Sequence, residues 1–78
     1  MWRVIVPNAL KVAVTKFPRA DADALFSALR AMATDPLSGE TYALGIGRYY
    51  RVVGSYLVFF DLIEANHTVN VVAIERPH

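Results

Sequence analysis

Three arginines stand among tyrosines in the second half of the chain. Arg48 and Arg51 flank Tyr49 and Tyr50, Tyr56 follows, and Arg76 lies near the end. Arginine is a fixed cation whose planar fork matches phosphate oxygens, and tyrosine offers a ring on which a base can stack. Such a set is suited to RNA contact or cleavage. The arginines would stabilise charge on a pentacoordinate phosphorus while another residue took the 2′-OH proton. Arginine itself cannot be that base, because it does not deprotonate. Glu40, Asp61, Tyr50 and His78 are the candidates for the role. The plainer alternative is that Arg48 and Arg51 are solvated strand residues, which is the commoner fate of a strand arginine.

Other chemistry is largely closed to this chain. It has no cysteine, so disulfides, zinc ribbons, thiol catalysis and iron–sulfur clusters are excluded. Its two histidines, His67 and His78, lack ligand-like spacing, so no metal and no cofactor are expected. Gly45-Ile46-Gly47 is a glycine pair without a following helical pattern, and reads as entry to a hairpin rather than as a phosphate loop.

The elements that must position these residues are marked off by proline and glycine. Trp2–Val6 alternates as a short strand and ends at Pro7. Asn8 is placed to cap a first helix from Ala9 to about Lys16, with Leu10, Val14 and Phe17 on one face. A second helix opens at Pro18 with an acidic first turn, carries Leu25, Leu29 and Met32 at i, i+4 and i+7, and stops at Asp35-Pro36. After Gly47 the period changes to two. Arg48–Val53, Tyr56–Ile63 and Thr68–Glu75 read as three sequential strands, turning at Gly54-Ser55 and through Glu64–His67. The expectation is one α+β domain over residues 1–78. It would be a small antiparallel sheet, the N-terminal strand plus a C-terminal three-strand meander, with two short helices packed on one face. In Tyr56–Ile63 both faces are mostly apolar. Either the chain covers both, or the second face docks a protein.

Composition bounds the setting. The chain has 78 residues, 55% hydrophobic and 19% charged, with a formal net charge of +1. Disorder is excluded, since it needs low hydrophobicity and high charge. With a pI of about 8.1 the chain is not a strongly basic nucleic-acid binder. No apolar run is long enough for a membrane span, and a small domain without cysteines suits the cytoplasm. So small a domain has little interior for so much apolar surface, so part of it should lie exposed and meet a partner.

The order of motifs resembles that of the RelE/ParE superfamily, toxins of bacterial type II toxin–antitoxin systems. The likeness spans nearly the whole chain. It rests on Val4-Ile5-Val6-Pro7-Asn8-Ala9-Leu10-Lys11, then Leu29 to Pro36, then Tyr50-Arg51-Val52-Val53-Gly54-Ser55-Tyr56, and last Val69 to Arg76. The resemblance implies a small α/β sandwich neutralised by a cognate antitoxin that wraps around it. It implies no membrane association, and leaves a homodimer open.

Two branches of the superfamily differ in target. RelE-like members cleave mRNA on the ribosome, whereas ParE-like members poison DNA gyrase. The family's strand cation corresponds to Arg51, with Tyr50 one residue away, and its last-strand arginine to Arg76. The arginine that the nucleases carry after the tyrosine is Leu57 here, and Tyr56-Leu57-Val58-Phe59-Phe60 looks like the ParE-like pattern. The expected function is therefore a toxin that docks a protein such as DNA gyrase through Arg48, Tyr50, Tyr56, Leu57 and Phe59. The rival reading is an mRNA endonuclease using Arg51, Arg76 and His78. In its favour, Arg76-Pro77-His78 resembles the Arg-Tyr-His tail of YoeB-type nucleases, and Glu40 lies about where their glutamate would be. A third reading is an inactive relative that only binds protein.

Overall fold

The computed structural model describes residues 1–77, so His78 lies outside the described residues. The chain runs β1 (Arg3–Ile5), α1 (Asn8–Thr15), α2 (Arg19–Ala31), β2 (Thr41–Gly45), β3 (Arg48–Val53), β4 (Tyr56–Ile63), a 3-10 turn (Glu64–Asn66) and β5 (Thr68–Glu75). One five-stranded sheet has the order β1-β5-β4-β3-β2. The two helices lie on one face, as the apolar spacing predicts. Among the described residues no helix is long and apolar enough to cross a membrane.

Two features depart from the sequence reading. The sheet is mixed, because β1 pairs parallel to β5, with Arg3 opposite Thr68 and Ile5 opposite Asn70. A parallel neighbour needs a long crossover, and the helices with the β2–β4 meander provide it. The sheet also gains a strand. Thr41–Gly45, outside the expected meander, pairs antiparallel to β3 as an edge. Four of its five residues are exposed, so it carries no apolar alternation to betray it. Asn8 is the first residue of α1 rather than its cap. Pro7 holds the cap position, and its carbonyl accepts from the Leu10 and Lys11 amides.

α1 forms despite Val12, Val14 and Thr15 because burial outweighs propensity. Val14 is buried, and Leu10 and Phe17 pack beside it. From α2 come Ala22, Leu25 and Leu29, with Met32 just beyond. They meet Tyr56, Val58 and Phe60 of β4 and Val69 and Val71 of β5, which share the inner face of the sheet. Two hairpin loops turn on glycines in the left-handed region. Gly47 has φ +72° in the β2–β3 loop, and Gly54 has φ +59° as the first central residue of the two-residue β3–β4 loop, where glycine is the favoured type.

Candidate functional site

The registers across β2, β3 and β4 decide what the outer face carries. Tyr42 lies opposite Tyr50, and Tyr50 opposite Phe59. Their rings form a row, with centroids 5.3 Å and 5.8 Å apart. Val52 and Leu57 pair beside that row, and Ala73 lies opposite Phe59 on β5. Among the described residues no helix covers this side, because α1 and α2 are spent on the opposite face. The result is an apolar, aromatic surface at the centre of an uncovered sheet.

The two charges at the end of that row pair with each other. Arg48 lies opposite Asp61 and grips it with two bonds, Nε to Oδ1 at 2.7 Å and Nη2 to Oδ2 at 3.0 Å. The Arg48 fork holds the Asp61 carboxyl below its ordinary value. A depressed carboxyl stabilises the fold above its unfolded value of 3.8, and that help is lost as pH falls through the lower folded value. Both side chains are partly solvated, so the effect is small and screened by salt. Asp61→Asn should lower the melting temperature slightly at pH 7 and low salt. The difference from wild type should vanish in strong acid and shrink in high salt, as thermal melts across pH and ionic strength would show.

Arg51 faces the other way. It lies opposite Val58, on the inner face, and is 5% exposed. Each of its three nitrogens makes a hydrogen bond within the fold. Nε donates to Thr41 Oγ1 at 3.1 Å, and Nη1 to the Ala28 carbonyl at 3.5 Å. Nη2 reaches the Asp35 carbonyl at 3.2 Å, the Pro36 carbonyl at 3.0 Å and Ser38 Oγ at 3.1 Å. Burial pulls its pKa down, and nearby Asp35 opposes that pull. Arg51 thus clasps the end of α2 and the following turn to the sheet. The expectation of a cation presented to substrate meets a buried side chain whose three nitrogens are all bonded within the fold.

Tyr56 is likewise placed apart from the outer face. It is 2% exposed, with its ring stacked on Phe17 at 4.9 Å between centroids. Its hydroxyl donates to Asp21 Oδ2 at 3.0 Å, and burial followed by that carboxylate pushes its pKa up. Tyr56 is a core residue, since Phe17 and α2 occupy the side a target would need. Arg76 is exposed and lies over the same ring, 5.8 Å from the centroid. Arg51 and Arg76 therefore differ in setting, Arg51 buried against the α2–β2 turn and Arg76 exposed just beyond the end of β5. Of the residues expected at the site, the structure brings together Arg48, Tyr50, Leu57 and Phe59. Tyr42 and Val52 join them unforeseen. The signal for both was parity: Val52 is two residues from Tyr50, and Tyr42 faces Tyr50 once β2 is recognised.

A second apolar feature lies at the opposite edge. A groove of about 370 Å³ runs between β1 and the helices, floored by Val4, Val6, Phe26, Leu29 and Ala33. Lys11 and Arg30 stand at its rim, and neither is in a salt bridge among the described residues.

No protein-family model matches the sequence, and no curated protein matches it either. Solved structures do. A chain of the archaeal RelE–RelB complex from Pyrococcus horikoshii OT3 superposes with a TM-score of 0.87 at 16% identity, covering 96% of this chain and 93% of that one. This chain has the RelE-like fold. A chain of the toxin–antitoxin complex RelBE2 from Mycobacterium tuberculosis agrees, with a TM-score of 0.79 at 15% identity over 97% and 98% of the two chains. In both comparisons the RelE-like fold spans nearly the full length of this chain.

Proposed function

We propose that this chain is the toxin of a type II toxin–antitoxin pair, neutralised by a RelB-type antitoxin, and that it acts by docking a protein target such as DNA gyrase. The observation that carries the choice of target is the outer sheet face. Its centre is Tyr42, Tyr50, Val52, Leu57 and Phe59, and Arg48 beside them is locked to Asp61. A polyanion such as ribosomal RNA needs unpaired cations and binds with steep salt dependence, whereas an apolar aromatic face suits a protein. The antitoxin fits the groove beside β1, whose apolar floor and two rim cations suit an amphipathic segment bearing acidic residues.

Arg76 favours the second reading, mRNA cleavage. It is exposed, lies over the Tyr56 ring and has no salt bridge among the described residues, so its donors are available to a phosphate. The two readings separate in one experiment. Wild type, Leu57→Asp and Arg76→Ala are expressed under tight induction in a bacterial host, with the folding of each checked by circular dichroism. Docking predicts that Leu57→Asp abolishes growth arrest while Arg76→Ala keeps it, and that purified wild type inhibits gyrase supercoiling. Loss of arrest with Arg76→Ala alone favours cleavage and sends the test to translating ribosomes. A harmless wild type sinks both, leaving a protein-binding module.

A further inference from the structure

We propose that β2 is a dimerisation edge, and that two copies of this chain join their sheets by antiparallel pairing of β2 about a two-fold axis at Ala43. The backbone pattern carries the proposal. The Glu40 carbonyl accepts from the Val52 amide at 2.9 Å, and the β2–β3 register sets Tyr42 opposite Tyr50. In an antiparallel ladder the bonded pairs alternate, so positions 40 and 42 turn their backbone groups toward β3. Positions 41 and 43 turn theirs to the free edge. The Thr41 amide is already spent on the Gly39 carbonyl, at 3.1 Å. The Ala43 amide and carbonyl and the Thr41 carbonyl remain.

These groups are self-complementary. A two-fold at Ala43 lets its amide and carbonyl exchange two bonds with the same residue of the second copy. It also brings Gly45 of each copy opposite Thr41 of the other. Position 42 then faces position 44 across the seam, so the exposed Tyr42 and Leu44 of the two copies meet. Ala43 itself is exposed, and its methyl leaves the axis clear.

The edge also lacks most of the usual defences. From Thr41 to Gly47 there is no charge and no proline, and Ile46 at the tip is fully exposed. Edge strands that stay single are commonly guarded by lysine, proline or a bulge. Here the one such device is the irregularity between Ala43 and Gly45, which lies on one side of the axis residue and leaves Thr41 to Ala43 regular. The nearest charge, Glu40, is separated from its own copy because the axis sends the two away from each other. A short edge buries less than a standard interface of about 800 Å² per partner, so the dimer is a weak one, with a dissociation constant of roughly 10–100 µM.

Sedimentation equilibrium of the whole chain from about 5 µM to about 0.5 mM tests this, since that range spans the expected dissociation constant. Two variants accompany wild type. Ala43→Pro removes an amide that β3 does not use, and edge strands tolerate proline there. Ala43→Lys sets two ammonium groups face to face at the axis and keeps the backbone intact. The expected result is a wild-type mass rising toward the dimer, with at least tenfold weaker association in each folded variant. Hydrogen exchange should show the Ala43 amide protected only at high concentration. If Ala43→Pro fails to fold, Ala43→Lys decides. A wild type monomeric throughout overturns the proposal, and so does a dimer that both variants retain. Protection of Ala43 only when a different protein is added also overturns it, by giving the edge another occupant.

Discussion

Arg51→Ala should cost the fold about 3–5 kcal/mol, the largest loss expected of any polar residue in the chain. The substitution removes donors from three backbone carbonyls and two hydroxyls, and the carbonyl of Pro36 is buried with its bond. Each buried acceptor left without a partner carries a desolvation cost of about 1–3 kcal/mol. Ser38 and Thr41 soften the loss, because Ser38 Oγ also donates to the Asp35 carbonyl and Thr41 Oγ1 to the Ser38 carbonyl. Domains of this size have only about 4–12 kcal/mol of stability in total, so the loss is a large fraction of it. Arg51→Lys should recover only part, since an ammonium cannot serve five acceptors arrayed around a planar fork. Urea titration followed by circular dichroism reads the effect. A wild-type midpoint for Arg51→Ala would refute the clasp and return Arg51 to the list of free cations.

Phe59 and Phe60 are neighbours in sequence with opposite consequences. Phe60 is fully buried and stacks on Tyr49, 5.8 Å between centroids. Phe60→Ala should cost about 3–5 kcal/mol through lost burial and the cavity it leaves. Phe59 stands on the bare face, so Phe59→Asp should stay within about 1 kcal/mol of wild type while abolishing growth arrest if that face docks the target. Denaturation midpoints beside the induction assay measure both. Equal destabilisation by the two substitutions would mean that the outer face is covered within the chain, and would remove the docking surface.

That parity is what the sequence made hardest to read. Val52, Leu57 and Phe59 are as apolar as Val53, Val58 and Phe60, so the pattern of β4 reveals a strand without saying which side meets the helices. The bounds of β3, β4 and β5 were legible because Gly47, Gly54-Ser55 and Glu64–His67 punctuate them and the period changes to two. The helices were legible from Leu25, Leu29 and Met32. Thr41–Gly45 was not, because an exposed edge needs no alternation. The role of Arg51 was hidden for a related reason. Sequence gives a residue's type and its place in a strand, whereas the clasp depends on where the turn after α2 passes in space. Tyr56 was read as a contact residue because tyrosine suits a surface. Its hydroxyl instead found Asp21, far along the chain, which allowed the ring to be buried.

The parallel union of β1 with β5 sets the order in which the sheet assembles. β2 to β5 join neighbour to neighbour, and such local hairpins form in microseconds. Pairing Arg3 with Thr68 instead closes nearly the whole chain into one loop, and the entropy of that closure must be met before the contact repays it. β1 contributes only three residues, helped by the Trp2 ring stacked on His67 at 4.7 Å. It is therefore expected to dock late and to peel away early. Trp2 is the chain's single tryptophan, so its fluorescence reports the completion of folding rather than its start.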